Sequence, residues 1–482
     1  MKKSAIRQPS PAWELLRRLL AIDGWSCQMS GSTALQAKKG KSAVLFKALG
    51  DTANRPPPSS AGVMIAPDEN RLQHSLLPQN AGKLPGWLRL STDELVQLAA
   101  RRIPDRLPAL GIDPLKIDTQ TPHAHHQWLI DHFTVTVKSN LPVGRPAGNQ
   151  FKLRFQTAHL RGITPGQFIM LQTRPGGPVL KSRPFTWNKA GRTLDLAPKA
   201  FLKRPFGIHR AFFPGFAPDF LRTLSLPSTL AAIIHPPQAD EYDIFYKALD
   251  GGIGTHELRQ LKPGDKIQAL GPLGNPFDPA SLRARGIEEI HLIGGGMGMA
   301  PLTFMAQHLR LHGFRIKAFV GLFNLAAIRL SDTDQWHNQT AASGHLFLDD
   351  LAAIGVKPED LFVSEENKTR PPAGLPLHPK NFSAGFVTRQ YERWVDAQHP
   401  ASRRAQPPVM AFACGPIPMM RGVWQTCQAR KIPLKVLMEK RMACGMGVCF
   451  SCVCRAKTAE GTERYSRVCL DGPIYDAQNL IW

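Results

Sequence analysis

The tail of this 482-residue chain constrains its fold more than any other part. Five of the eight cysteines lie in the segment Met438–Tyr475. Cys444, Cys449 and Cys452 are separated by four and then two residues, and Cys469 follows after a short insert. This C-x4-C-x2-C…C spacing is typical of a plant-type [2Fe–2S] cluster. The two glycines between the first two cysteines let the backbone curl closely round the inorganic core. We therefore predict a protein that transfers single electrons.

Two other uses of these cysteines fit the sequence less well. Structural zinc sites usually take paired C-x2-C knuckles, and the tail has one such pair. Disulfides need an oxidising compartment, but charges interrupt the N-terminal apolar stretch, so we expect no secretion signal. Free thiols indicate a reducing compartment, and we expect a cytoplasmic protein. Cys454 is expected to pack in the core, with substitution as a cluster ligand as the alternative.

Length and charge bound the class of protein. The length predicts about three domains. No apolar run approaches the roughly 18 residues needed to cross a bilayer, so we expect a soluble protein without a membrane partner. The net charge of +23 is compatible with nucleic-acid binding, but the basic residues are spread along the chain without a recognition motif. We therefore expect the charge to suit anionic dinucleotides and an acidic protein partner instead.

The first half of the chain divides into two predicted segments. Residues 1–127 form an extension in which we expect partial disorder or a small helical module. Short strands of alternating polarity follow, such as Phe133–Val137 and Phe151–Phe155, with glycine and proline turns between them. They predict an antiparallel β-barrel over residues 128–285, with an insertion at about 210–240.

The pattern over residues 286–428 predicts an α/β domain with a Rossmann-like parallel sheet, and residues 429–482 are expected to form the cluster domain. A predicted strand runs into a glycine loop and then a helix, which is one βαβ unit. The loop contains Gly294, Gly295, Gly296 and Gly298, with Pro301 in the first turn of the helix. Its amides can hold a pyrophosphate, and a tight strand–helix turn is the alternative, because the spacing is not G-x-G-x-x-G. A later strand ends at Cys414, Gly415 and Pro416, at the edge where ligands bind in such sheets.

Two further features suit a second anionic cofactor. The turn from Gly252 to Thr255 offers backbone amides and a hydroxyl group. Upstream lie two Arg-Pro-Phe segments, which begin at Arg183 and Arg204. An arginine can form a bidentate contact with a phosphate. Taken alone, such a tripeptide is more often structural than functional.

Together these residues resemble the electron-transfer subunit of NAD-dependent dihydroorotate dehydrogenase, in the ferredoxin reductase-like superfamily. The resemblance runs from about Phe133 to Trp482 and is strongest in RMACGMGVCFSCV…RVCLDGPIY. The strings PGQF, LKRPFGIH, GIGTHEL, LKPGD, GPLGNPF, GGGMGMAPL and FACGP follow in the family's order. The resemblance implies a barrel that binds FAD, a parallel sheet that binds NAD and a small C-terminal [2Fe–2S] domain.

The resemblance also implies site residues. The cluster ligands would be Cys444, Cys449, Cys452 and Cys469. FAD would contact Arg204, Pro205, Phe206, Gly207, Tyr246, Lys247, Gly254 and Thr255. NAD would be held by Gly294, Gly295, Gly296, Gly298, Pro301, Cys414, Gly415 and Pro416. The residues flanking Arg204 favour it over Arg183, although Gly207 replaces the family's usual serine. No side chain is assigned as catalytic, because the cofactors carry the redox chemistry, and the choice between NAD and NADP stays open.

The implied function is electron transfer in pyrimidine biosynthesis. An FMN-containing catalytic subunit would oxidise dihydroorotate, and electrons would reach NAD through the cluster and FAD, in a heterotetramer. Two alternatives stay open. One is a related reductase that serves a hydrogenase or a transhydrogenase-type complex; the other is a redox-inactive scaffold of the same fold. The N-terminal extension, the insertions and a Pro-rich loop after Val363 depart from the family pattern, so they bear on the partner more than on the cofactors.

Overall fold

The computed structural model describes most of the chain beyond residue 129 and short segments before it. The described residues are 130–144, 148–160, 162–174, 202–213, 239–249, 252–330, 343–366, 371–398, 408–458 and 460–482, with segments at 16–17, 19–21, 26–29, 34–39, 42–48, 62–66, 87–91 and 234–235. Arg183, most of the predicted insertion and much of the extension lie outside them. None of the described helices is both long and apolar enough to cross a membrane.

The described part of the N-terminal extension is mainly a six-stranded sheet. Its strands are β1 (Ser26–Met29), β2 (Ala34–Lys39), β3 (Ser42–Ala48), β4 (Gly62–Ala66), β5 (Trp87–Ser91) and β11 (Ile234–His235), in the order β1-β2-β3-β4-β5-β11. No strand was predicted in residues 1–127, and the described residues 16–17 and 19–21 of the extension are helical. The last strand comes from the insertion and pairs antiparallel with β5. Local sequence patterns cannot reveal such a pairing, because its partners are far apart in the chain.

An antiparallel sheet curls into the predicted barrel. Its strands are β6 (Asp131–Val143), β7 (Gln150–Gln156), β8 (Phe168–Leu171), β9 (Arg204–Gly207), β10 (Arg210–Phe212), β12 (Glu241–Lys247) and β13 (Lys266–Leu273), in the order β10-β12-β7-β6-β13-β8-β9. The two edge strands, β9 and β10, are separated by only two residues, so the ends of the sheet must approach each other. Alternate side chains such as Val135, Val137, Leu153 and Phe155 fill its core. The predicted barrel is confirmed.

A mostly parallel sheet forms the second layer. Its strands are β14 (Glu289–Gly295), β15 (Arg315–Leu322), β16 (Leu361–Glu365), β17 (Phe382–Ala384), β18 (Val409–Cys414), β19 (Leu434–Leu437) and β22 (Ile474–Asp476), in the order β17-β16-β15-β14-β18-β19-β22. The first six are parallel, and β22 is antiparallel to β19. The strand order reverses between β14 and β18, which is the switch point where such sheets bind ligands.

Besides the helical residues 16–17 and 19–21, six helices have both ends in the described part of the chain. They are α1 (Ile253–Leu258), α2 (Pro279–Ala284), α3 (Met299–Leu311), α4 (Leu348–Ile354), α5 (Val387–Gln398) and α6 (Ile417–Ala429). Helix α3 directly follows the glycine loop at the end of β14. It is almost wholly buried, which explains its run of apolar residues. The helix therefore places the glycine loop between the barrel and the parallel sheet.

The tail is joined to the parallel sheet rather than separate from it. After β19 the chain forms the cysteine loop and then the hairpin of β20 (Val453–Lys457) and β21 (Glu463–Arg467). It then returns as β22 to pair with β19. The cluster loop is thereby anchored at both ends to the sheet that carries the glycine loop.

Buried polar contacts fix the barrel against the parallel sheet. Asp350, in α4, accepts hydrogen bonds from His209 Nε2 at 2.8 Å and from Arg210 Nη1 at 2.9 Å. All three side chains are at most 3% exposed. In the same interface, the Gln307 amide donates to the Ala211 carbonyl at 2.6 Å and accepts from the Ala211 N–H at 2.9 Å. These contacts set the relative position of the two layers.

Replacing Asp350 by alanine leaves two buried basic side chains without their carboxylate. We expect the free energy of unfolding to fall by about 3–5 kcal/mol, measured by urea unfolding. Glu392→Ala, which breaks an exposed ion pair with Arg389, is the control and should cost less than about 1 kcal/mol. Equal losses in the two variants would contradict the assigned role.

The same carboxylate predicts a pH dependence of stability. Burial alone would raise the pKa of Asp350, but the charges of His209 and Arg210 hold it well below its usual range. Its stabilising contribution is therefore complete above the unfolded pKa of about 3.9 and is lost as the pH falls through the lower folded pKa. The stability difference between wild type and Asp350→Ala should be constant near neutral pH and shrink in acid.

Candidate functional site

The four predicted cluster cysteines come together beside β20 and β21. Cys452 Sγ and Cys469 Sγ are 3.3 Å apart. The backbone N–H of Cys449 donates to Cys444 Sγ at 3.4 Å. The four thiols are of the ligand type that holds a [2Fe–2S] cluster, and together they would supply its thiolate ligands. No three His, Cys, Asp or Glu side chains surround one metal position within the part of the chain that the structure describes. All eight cysteines are described, and none forms a disulfide.

The loop backbone is shaped to point its N–H groups at the sulfur atoms. Gly445 and Gly447 have φ of 74° and 83°, values that glycine adopts readily. Phe450, with φ of 55°, is the strained position of the turn. The Gly447 N–H donates to Cys469 Sγ at 3.1 Å, and the Met446 N–H donates to Cys444 Sγ at 3.4 Å. Such donors stabilise thiolates and tune the potential of a bound cluster, so the loop fits a [2Fe–2S] group.

The thiols differ in how readily they ionise. A hydrogen bond with the Ser451 hydroxyl lowers the pKa of the exposed Cys449 to about 6. Burial raises the pKa of Cys469 to about 12. Because metal ligands must be thiolates, a cluster bound by Cys469 would have to displace its proton.

A cavity of about 340 Å³ lies where the barrel, the parallel sheet and the tail meet. The barrel contributes Gly166, Gln167, Phe168, Pro205, Phe206, Gly207, Ile208, Phe245, Tyr246, Lys247 and Leu249. The parallel layer contributes Met297, Ala300, Pro301, Phe304 and Cys414, and the tail contributes Leu437, Met438, Glu439, Lys440, Met442 and Pro473. Most of these side chains are apolar, as expected for a flat aromatic ligand. Five of the eight residues predicted to contact FAD line this cavity.

The other three predicted FAD residues lie together at the start of β9. A side chain on Gly254 would place its first carbon 2.9 Å from Arg204 Nε, so glycine allows the guanidinium to pack on this turn. The Thr255 hydroxyl accepts a hydrogen bond from the Leu249 N–H at 3.1 Å. Arg204 and the Gly252–Thr255 turn are thus brought together, as the resemblance implies.

The two predicted NAD loops meet at the switch point of the sheet. A side chain on Gly298 would place its first carbon 2.3 Å from the Cys414 carbonyl oxygen and 2.7 Å from the Gly415 nitrogen. One on Gly295 would stand 3.1 Å from Pro416. Only glycine allows this close approach of the two backbones. Pro301 and Cys414 also line the cavity, so residues from the predicted NAD set and the predicted FAD set line the same cavity.

The tail contributes cavity residues that the sequence reasoning missed. Leu437, Met438, Glu439, Lys440 and Met442 line the cavity, but none was predicted as a site residue. Leu437 ends the last parallel strand and the other four residues lie between that strand and Cys444, and this position was the available signal. A segment that connects a ligand-binding sheet with a cluster loop has to pass close to both.

One cavity is surrounded by an antiparallel barrel, a parallel sheet of the nucleotide-binding type and a four-cysteine loop. This combination defines an iron–sulfur flavoprotein of the reductase class. The family model of the iron–sulfur cluster binding domain of dihydroorotate dehydrogenase B matches residues 439–481. The chain belongs to the family of dihydroorotate dehydrogenase B electron transfer subunits. A relative named as this subunit, from Bacillus caldolyticus, is 30% identical over 258 residues, which are 54% of this chain and 80% of the relative.

A second relative and a solved structure are also similar to this chain. The subunit of that name from Shouchella clausii is 27% identical over 259 residues, again 54% of this chain and 80% of the relative. Among solved structures, an NADH-dependent reduced ferredoxin-NADP oxidoreductase aligns with a TM-score of 0.45 and 18% identity, over 72% of this chain and 89% of the other.

Proposed function

We propose that this protein is the electron-transfer subunit of a dihydroorotate dehydrogenase, and that it passes electrons between a catalytic subunit and NAD. The observation that carries the proposal is the shared cavity. The barrel, the NAD loops and the segment leading to the cluster all contribute to its wall. A flavin held there would touch the site of hydride exchange and the route to the cluster at once.

We assign FAD to the cavity and to the turn beside Arg204. When bound, FAD exchanges a hydride with the nicotinamide and single electrons with the cluster. Phe206 and Tyr246, whose rings meet edge to face at 6.0 Å, would position the aromatic part of the ligand. Arg204 and the amides of the Gly252–Thr255 turn would hold its phosphates.

We assign NAD to the two glycine loops. Their amides at the start of α3 suit a pyrophosphate, and the helix dipole favours its negative charge. Pro301 and Cys414 would then bound the place where the nicotinamide meets the flavin. Cys444, Cys449, Cys452 and Cys469 would be the cluster ligands.

The surface around the cluster supports a protein partner. Met446, Val448, Phe450 and Leu470 are exposed large apolar side chains, with Val448 73% exposed. Exposed apolar groups in one place are typical of interaction sites. We propose that an FMN-containing catalytic subunit docks here, in a heterotetramer. The free thiols of the chain favour the cytoplasm as the place of assembly.

One observation favours a second candidate, a related reductase that serves another partner. The named relatives align with about half of this chain, and the N-terminal sheet is joined to the barrel insertion through the pairing of β5 with β11. A module of this kind can present a different docking surface.

Reconstitution separates the two candidates. The purified protein is mixed with the dihydroorotate-oxidising flavoprotein of the same source, and dihydroorotate is added without oxygen. We expect reduction of the cluster and formation of NADH from NAD. If the two proteins form no complex but NADH still reduces the purified protein, the result would favour the second candidate.

A further inference from the structure

Hydride exchange and single-electron transfer differ by one proton. A hydride carries two electrons and a proton, whereas the cluster takes up electrons one at a time and no proton. Each hydride that is divided into two electrons therefore leaves one proton in the cavity. In the reverse direction, one proton is needed for each hydride formed. The chain must supply a group or a water path for this proton.

The ionisable side chains of the cavity come from all three parts of the protein. They are Tyr246 and Lys247 of the barrel, Cys414 of the parallel layer, and Glu439 and Lys440 of the tail. Burial raises the pKa of Tyr246 well above its usual range, and its hydroxyl donates to Asn140 Oδ1 at 3.0 Å. Burial and then the charge of Glu439 raise the pKa of the Cys414 thiol. Both groups stay protonated near neutral pH and cannot accept a proton.

Glu439 is the one carboxylate among the described residues that line the cavity. Lysine ammonium groups donate hydrogen bonds but have no lone pair to accept a proton. Partial burial of the carboxyl group in the cavity wall raises the pKa of Glu439, which brings it closer to the pH at which a carboxyl both takes up and releases protons. The residue as a whole is nevertheless exposed to solvent, so a proton can leave from the cavity wall to water.

The position of Glu439 suits this exchange. It follows Met438, which is buried, and stands five residues before Cys444 in the segment that links the cavity to the cluster. Met442 of the same segment lines the cavity too. The carboxylate therefore lies on the side of the cavity from which electrons leave for the cluster.

We propose that Glu439 is the proton-exchanging group of the cavity. When a hydride is divided, an N–H bond of the reduced flavin breaks, the two electrons pass singly to the cluster, and the proton forms an O–H bond with the Glu439 carboxylate. The acid then releases the proton to solvent. In the direction of NAD reduction, the same carboxyl returns one proton for each pair of electrons. This role rests on the proposed function.

Glu439→Gln tests the proposal, because it keeps the size of the side chain and removes its titration. Reduction by NADH without oxygen is followed by stopped flow, where flavin bleaching precedes cluster reduction. We expect the bleaching phase to change by less than about twofold, because hydride transfer needs no separate proton. The cluster phase should slow by about 100-fold, as for loss of a general base. The rate of the cluster phase should rise with pH in the wild type, and this rise should be absent in the glutamine variant.

A second readout does not depend on turnover. The flavin midpoint potential is measured against pH, and the wild type should show a break at the pKa of Glu439 that the glutamine variant lacks. Glu463→Gln is the matched control, because it changes an exposed glutamate of the cluster hairpin that pairs with Arg455. It should leave both phases and the break unchanged.

Fluorescence measures whether the glutamine variant still binds FAD. If it does not, Glu439→Asp provides the second test. The shorter acid has a lower intrinsic pKa, so the break should move to lower pH. A glutamine variant with wild-type phases and pH profile, or an aspartate variant with an unmoved break, overturns the role of Glu439. A wild-type protein that neither NADH nor NADPH reduces overturns the proposed function instead.

Discussion

Cys452→Ala yields a protein without its [2Fe–2S] cluster that still binds flavin. Cys452 is 2% exposed and its sulfur lies 3.3 Å from that of Cys469, so alanine removes one of two neighbouring sulfur atoms of the proposed ligand set. A [2Fe–2S] cluster of this type needs all four thiolates. We expect reduction of one-electron protein acceptors to fall to background. NADH should still bleach the flavin, because the cavity and the NAD loops are untouched.

Cys454→Ala is the matched control for this result. Cys454 is also buried, two residues further along, and is outside the assigned ligand set. Its removal should cost about 1 kcal/mol of stability and leave the cluster in place. Visible circular dichroism and iron content measure the cluster in both variants. Loss of the cluster in Cys454→Ala with its retention in Cys452→Ala would contradict the ligand assignment.

Gly298→Ala should slow the reduction of the flavin by NADH. Its new carbon would stand 2.3 Å from the Cys414 carbonyl oxygen, so the two NAD loops must separate. A displacement near 1 Å at a reacting centre can slow a reaction about 100-fold, and we expect this loss in the rate of flavin bleaching by NADH. Overpacking should also cost about 1–3 kcal/mol of stability. Chemical reduction of the flavin and the cluster should be normal.

Gly422→Ala provides the comparison for that variant. Gly422 lies in α6, where the nearest contact of an added carbon is Thr388 at 3.2 Å. Alanine is favoured over glycine in a helix, so its stability should change little. Stopped-flow bleaching by NADH should match the wild type. A Gly298→Ala protein with wild-type bleaching would show that the close approach of the loops is not needed for NAD binding.

The parts of the site that the sequence predicted are those with local signatures. The spacing of Cys444, Cys449 and Cys452 depends on one tight turn, and the glycine loop depends on a strand that runs directly into a helix. Both patterns can be read within about fifteen residues of sequence. The antiparallel barrel was likewise predictable from strands such as Phe133–Val137, because alternation of buried and exposed side chains is a local property.

The parts that sequence reasoning missed depend on contacts between distant segments. The pairing of β5 with β11 joins residues about 145 positions apart, and neither strand carries a sign of the other. Glu439 lies outside the quoted signature strings, and Met442 lies inside the cluster signature, which gives no sign that it also lines a cavity. They become site residues because β19 and β22 hold the tail against the barrel, which is a consequence of tertiary packing.

The central claim is that one cavity links NAD, a flavin and the cysteine loop, and an anaerobic optical titration tests it most directly. The purified protein is titrated with NADH and then with NADPH, and the flavin and cluster absorption bands are followed separately. The structure predicts that NADH bleaches the flavin and that the cluster bands then decrease. A protein that contains both groups but whose cluster stays oxidised after the flavin is fully reduced would contradict it.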